Sequence, residues 1–150
     1  MQIYVASLSD YNAGRLHGAW INLEKFTDAE SVLEHIQETI LATSPEAAAT
    51  GFPAEEWAIH GYEEAPTQFG EYESLETLMD VQFWINKIQE NGSDIDAIAA
   101  YLEHFDLDSL DRFEDRYHGE GDSEEDYEKF ARDLFINDYT YQNGYVFSLY

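Results

Sequence analysis

Residues 111–130, DRFEDRYHGEGDSEEDYEKF, hold nine Asp or Glu against three Lys or Arg, with Phe113, Tyr117, Tyr127 and Phe130 threaded between them. Acids alone would give a solvated tail. Rings at near-helical intervals instead require the segment to lie on a core, which leaves its carboxylates on the outer faces. The same imbalance runs the length of the chain. Acids outnumber bases 7 to 2 in residues 1–50, 11 to 1 in 51–100 and 14 to 4 in 101–150, giving net charges of −5, −10 and −10. Such a chain repels nucleic acid and anionic membranes, and it suits either a basic partner surface or simple solubility.

A net charge of −25 argues for disorder, but the apolar content argues against it. Leu, Ile, Val and Phe make up 35 of 150 residues, above the roughly 20% that marks disordered chains. That length suits one domain or two to three small associated lobes. There is no cysteine, which excludes disulfides and thiolate metal sites. The opening MQIYVASLSDY lacks a basic and apolar leader, and no apolar run approaches the roughly 18 residues of a membrane span. The expected location is the cytoplasm, with no membrane association.

Gln2 to Ser7 alternates as a strand, and Gly18 to Leu23 is expected to return beside it through a loop holding Asn12 and Gly14. Thr27 and Glu30 have capping-box spacing, and Val32, Leu33, Ile36 and Ile40 predict a helix over about 28–42 that covers the sheet. SPEAAATGFP reads as a loop, and Glu56 to Tyr62 as a third strand. From Ser74 the period becomes helical through Leu75, Leu78, Val81, Ile85 and Ile88 to the stop at Asn91-Gly92. Ser93 with Asp96 is expected to cap the next helix, and Leu107, Leu110, Phe113 and Tyr117 suggest a further short one. The chain breaks at Gly119 and Gly121 and restarts at the cap Ser123. Tyr127, Phe130, Ala131, Leu134 and Phe135 then form an apolar stripe, and Tyr145 to Leu149 alternates as a closing strand. The expected fold is α+β, an elongated chain of three small lobes. These are an N-terminal antiparallel sheet with one helix (1–64), a central helical lobe (65–105) and a C-terminal α+β lobe (106–150).

Acid-rich segments raise the question of calcium. An EF-hand frame starting at Asp106 puts Leu110 at a ligand position and Tyr117 at the twelfth, and a frame starting at Asp122 puts Tyr127 where glycine is required. Both frames fail. His17, His35, His60, His104 and His118 show no zinc spacing, and there is no nucleophile elbow, phosphate-binding loop or dinucleotide fingerprint. With 32 acids some close carboxylate pair is inevitable, so a pair carries no information about glycosidase-type chemistry. Nothing supports an enzyme, a cofactor or a metal.

A third use for carboxylates is to stand where phosphates would. B-DNA carries about one charge per 1.7 Å of axis, so twenty-five charges correspond to roughly 42 Å, or about 12 base pairs. Proteins that bind DNA gain much of their affinity by neutralising phosphates, a term indifferent to what carries the negative charge. The acids suited to this lie along 55–80, namely Glu55, Glu56, Glu63, Glu64, Glu71, Glu73, Glu76 and Asp80. Others lie along 103–138: Glu103, Asp106, Asp108, Asp111, Glu114, Asp115, Glu120, Asp122, Glu124, Glu125, Asp126 and Glu128. Composition does not separate this reading from halophilic adaptation, or from an acidic interaction protein that sequesters a different basic DNA-binding partner.

IYVASLSDYNAGRLHGAWINL, EEWAIHGYEEAP, FEDRYHGEGDSEEDYEKFARDLF and the ending NGYVFSLY, in this order, resemble the ArdA-type antirestriction proteins over nearly the whole chain. The resemblance implies an elongated homodimer of three small domains that mimics bent B-form DNA. Such a dimer occupies the DNA groove of type I restriction-modification enzymes in a bacterial host and does not itself bind nucleic acid. It also implies that Phe113, Tyr117, Gly119, Ser123, Tyr127, Phe130 and Ala131 belong to the family's antirestriction motif, at or near the dimer contact. Gly121 stands where the resemblance leads us to expect a bulkier residue.

Overall fold

The computed structural model describes residues 1–150. It is α+β, with seven helices and two three-stranded antiparallel sheets. The chain divides into two compact units, Met1–Phe83 and Trp84–Tyr150.

In the first unit, β1 (Gln2–Ser7) lies between β2 (Gly18–Asn22) and β3 (Trp57–Glu63). Ile3 pairs with Ile21 on one side and Tyr62 on the other, and a bulge between Tyr4 and Val5 shifts the second register. Period-two alternation puts Ile3 and Val5 on the buried face, where they join Ile21, Ile59, Val32, Ile36 and Ile40. The hairpin loop expected between β1 and β2 contains a short helix, α1 (Leu8–Asn12). The second helix, α2 (Ala29–Ile36), starts one residue later than the capping-box spacing suggested. Asp28, rather than Thr27, is the N-cap and accepts from the Ser31 amide at 2.8 Å. The helix widens into a π turn over Gln37–Leu41, where the Ala42 amide reaches back to the Gln37 carbonyl at 2.8 Å. The segment read as a loop holds α3 (Pro45–Thr50), with Ser44 as N-cap and proline in the first turn. Its three alanines are good helix formers, and without an apolar period they gave no helical signal.

A carboxylate fixes α1 against α3. Asp10 is fully buried; its Oδ2 accepts from Ser44 Oγ at 2.5 Å and its Oδ1 from the Glu46 amide at 2.9 Å. Burial opposes its charge, but the hydrogen bonds from Ser44, Ser7 and Glu46, with His17 nearby, outweigh burial and hold its pKa below the usual aspartate value.

The sixteen-residue helix α4 (Leu75–Glu90) has the expected extent. Leu75, Leu78 and Val81 are buried, as are Ile85 and Ile88 beyond the boundary between the units. In the second unit, α5 (Ile95–Leu102) is capped by Asp94 rather than Ser93, with the Ala97 amide 3.0 Å from Asp94 Oδ1. A 3-10 segment, Leu107–Arg112, runs into a single turn, α6 (Phe113–Arg116). Tyr117 therefore leaves the helix and opens β4 (Tyr117–Glu120), a strand the sequence had not suggested. After α7 (Glu124–Asp133), a second unexpected strand, β5 (Tyr139–Gln142), forms a hairpin with β6 (Tyr145–Ser148). Asn143 and Gly144 turn it with φ of 46° and 92°, the left-handed pair that a two-residue hairpin requires.

The core of this unit is aromatic. Tyr101, Phe113 and Phe147 are fully buried and meet edge to face at centroid separations of 5.2 to 5.8 Å. Arg116 lies over the Phe105 ring at 4.2 Å and donates to the Tyr101 hydroxyl at 3.0 Å. The apolar stripe expected on α7 stops short. Tyr127 and Ala131 are buried, whereas Leu134 and Phe135 are exposed. The cause is the helix end, where Phe135 takes a left-handed φ of 57°. The Ile136 amide closes on the Ala131 carbonyl at 2.8 Å and the Phe135 amide on Arg132 at 3.2 Å. These bonds form a Schellman motif, and it turns the Phe135 ring away from the core.

Candidate functional site

The carboxylates are a surface feature of an ordered scaffold. Of 32 acids, 29 are exposed, Glu46 and Glu73 are half-buried, and Asp10 is buried. Seven bases cannot neutralise them, since one acid per base would still leave more than twenty without a partner. Arg15 pairs with Glu46 at 3.2 Å, and Arg112 approaches Asp115 at 3.9 Å.

The twenty acids singled out from the sequence fall into both units. In the first, Glu55 and Glu56 precede β3, Glu63 ends it, and Glu64 follows with a left-handed φ of 55°. Glu71 and Glu73 lie on the connection to α4, which carries Glu76 and Asp80. In the second, Glu103 follows α5, and Asp106, Asp108 and Asp111 lie on or beside the 3-10 segment. Glu114 and Asp115 are on α6, Glu120 ends β4, Asp122 precedes α7, and Glu124, Glu125, Asp126 and Glu128 occupy the first half of α7. All but Glu73 are exposed. No group of three or more acids and histidines is placed to hold a metal ion.

A further acidic row lies outside those twenty residues. Glu30, Glu34 and Glu38 follow one another at intervals of four along α2 and its π turn, and all are exposed. Like charges at this spacing cost a helix a few tenths of a kcal/mol per pair. The spacing of four within an expected helix was the available signal.

The motif residues divide by burial. Phe113, Tyr127 and Ala131 belong to the core of their own unit, while Tyr117, Gly119, Ser123 and Phe130 are half-exposed. Tyr117 stacks on Phe113 at 5.3 Å and 15°. Ser123 is the N-cap of α7, taking the Asp126 amide at 3.3 Å and donating to Asp126 Oδ2 at 2.9 Å. Gly119, which the sequence suggested as a break, lies within β4 at a φ of 147°, with the Phe130 ring 3.3 Å from where a Cβ would stand. The Tyr127 hydroxyl donates to the Gly144 carbonyl, which also accepts from the Gly121 amide at 3.0 Å.

These tyrosines feel the acids around them. Burial, then Tyr141, Glu120, Tyr117 and Asp122, push the Tyr127 phenol up to about 12. Burial, then Asp94, Glu120, Asp96 and Tyr117, do the same for Tyr145, also to about 12. Tyr117 is raised by burial and by Glu120, Asp94 and Glu114. In the first unit, burial and Glu73 raise Tyr62 to about 12. Every one of these phenols stays neutral at physiological pH, so each remains a hydrogen-bond donor.

No helix is long and apolar enough to cross a membrane. Comparison with curated proteins finds no match. The family model described as antirestriction protein (ArdA) matches residues 3–147, nearly all of this acidic chain, and the chain belongs to that antirestriction family.

Proposed function

We propose that this antirestriction protein acts as a DNA mimic, a non-catalytic inhibitor whose carboxylates occupy the DNA-binding groove of a type I restriction-modification enzyme. The observation that carries the reading is the exposure of 29 acids against seven bases on fixed helices, strands and turns. A basic groove that binds DNA gains affinity from the negative charge it neutralises, whatever atoms bear that charge. Carboxylates held by a folded scaffold avoid the ordering entropy that a flexible acidic tail loses on binding. The acids along 55–80 and 103–138 form the contacting set, and affinity is spread over many weak contacts.

The active form is a homodimer in the bacterial cytoplasm, which doubles the charge and the span and matches a pseudo-two-fold groove. The half-exposed Tyr117, Gly119, Ser123 and Phe130 lie at or near the contact, with Phe113, Tyr127 and Ala131 as its buried support. In this reading the chain comprises three small lobes, 1–64, 65–105 and 106–150, a different division from the two compact units, whose break at Phe83–Trp84 falls inside the second lobe, and it does not itself bind DNA. Recovery of bound proteins from a host lysate tests the choice of partner. Restriction-modification subunits support the reading, and nucleoid proteins in their place contradict it.

A further inference from the structure

In the first unit a cavity of about 470 Å³ lies where the first turns of α2 and α4 meet the start of β3. Its walls combine two kinds of group. Leu33, the half-buried Trp57 and the exposed Tyr72 form an apolar, partly aromatic surface, and Glu30, Glu73 and Glu76 stand around it. The volume falls within the range of small-ligand sites. Two helix N-termini close by would ordinarily invite an anion. Here one amide of each is already capped by a side chain, Ser31 by Asp28 on α2 and Thr77 by Ser74 at 3.1 Å on α4. Three glutamates without a base among the cavity residues make the local charge negative.

Aromatic faces beside carboxylates are complementary to one kind of side chain. Guanidinium is planar, stacks on Trp and Tyr, and pairs with carboxylates in a fork, whereas the ammonium of lysine is a strongly hydrated point charge. We propose that this cavity takes an arginine side chain presented by the DNA-binding surface of the restriction enzyme, stacked against Trp57 and Tyr72 and paired with the glutamates. It is an anchor within an otherwise diffuse electrostatic interface, of the kind that aromatic and arginine residues supply at protein contacts. It rests on the reading of the protein as an inhibitor that occupies a basic groove.

The test is a titration of the whole chain, labelled at its tryptophan indoles, with the blocked tripeptide Gly-Arg-Gly at about 0.15 M salt. The expected result is a saturable shift of the Trp57 indole N–H, with Trp20 and Trp84 unmoved. It should weaken roughly fivefold to tenfold in Tyr72→Ala and in Glu73→Gln. It should also be lost when citrulline replaces arginine, which keeps the planar group and removes the charge. Equal shifts at all three tryptophans, equal binding of a lysine peptide, or an unchanged Tyr72→Ala variant would overturn it. The same variant is then compared with the wild type in displacing DNA from a type I methyltransferase. If the wild type displaces DNA and Tyr72→Ala does so equally well, the arginine anchor alone is wrong. If the wild type does not displace DNA, the inhibitor reading is wrong whatever the peptide does.

Discussion

The Tyr127 ring lies directly against Gly121: a Cβ at residue 121 would stand 3.0 Å from the Tyr127 hydroxyl and 3.1 Å from the ring carbon that bears it. The hydroxyl cannot swing clear, because it is hydrogen-bonded to the Gly144 carbonyl and the residue is buried. Here the bulkier residue that the family resemblance suggested at this position would disturb the docking of α7 on the hairpin. Gly121→Ala is expected to destabilise the protein by about 1–2 kcal/mol, the usual penalty for overpacking. Urea denaturation measures it, and an unchanged midpoint would mean that the ring is free to move.

The helix end at Phe135 gives a prediction of the opposite sign. A non-glycine residue in the left-handed region costs roughly 1–2 kcal/mol, and the side chain, 89% exposed, returns little from packing. Phe135→Gly is expected to raise stability by about 0.5–1 kcal/mol, less than the full strain because glycine has more entropy to lose. Loss of stability in the same denaturation experiment would place the ring in a contact that offsets its strain.

Asp10 gives the pH dependence. Its pKa is depressed in the folded protein, so the unfolded chain takes up the proton first as pH falls. The stabilisation is complete above the ordinary aspartate value of about 4 and is lost as pH drops through the lower folded value. Asp10→Ala leaves the Ser44 hydroxyl and the Glu46 amide without their acceptor and is expected to cost about 3 kcal/mol at neutral pH. The difference from wild type should narrow as denaturation is repeated toward about pH 3. A difference that stays constant over that range would remove the carboxylate's charge from the explanation.

Self-repulsion sets the response to salt. With 29 exposed acids and a net charge of −25, thermal stability should rise by several degrees between roughly 0.01 M and 0.5 M sodium chloride as the charges are screened. A flat melting temperature would show that the acids are already neutralised by bound cations.

Diffuse recognition predicts a nonlinear mutational response. Replacing any single exposed acid outside the arginine cavity, such as Asp111 or Glu124, should change inhibition by less than about twofold, consistent with weak surface electrostatics. Neutralising about ten acids on one face should abolish it, since the charge term accumulates with the number of contacts. One such acid whose loss alone removes activity would point to a conventional site.

The strands β1, β2, β3 and β6 and the helix α4 were legible because their apolar residues recur at one unambiguous period. What escaped was carried by other forces. α1 and α3 have no apolar stripe, and they are joined by a buried Asp10 whose partner Ser44 is 34 residues away. β4 and β5 are short strands, half-buried throughout except for the exposed Glu120, with no clean alternation, and only their pairing with β6 makes them strands. The helix caps shifted by one residue because Asp28 and Asp94 stood beside the Thr and Ser chosen, and both types cap well. The exposure of nineteen of the twenty chosen acids followed directly from charge. The cavity beside Trp57 was not readable, since its walls come from α2, β3, the connection that carries Tyr72 and Glu73, and the start of α4.

The most direct measurement is a competition titration in which the purified protein is added to a type I methyltransferase holding a labelled duplex, repeated at several salt concentrations. Mimicry requires full displacement of the duplex, with inhibitor and DNA affinities falling together as salt rises. A ternary complex that retains the duplex, or inhibition indifferent to salt, would contradict it.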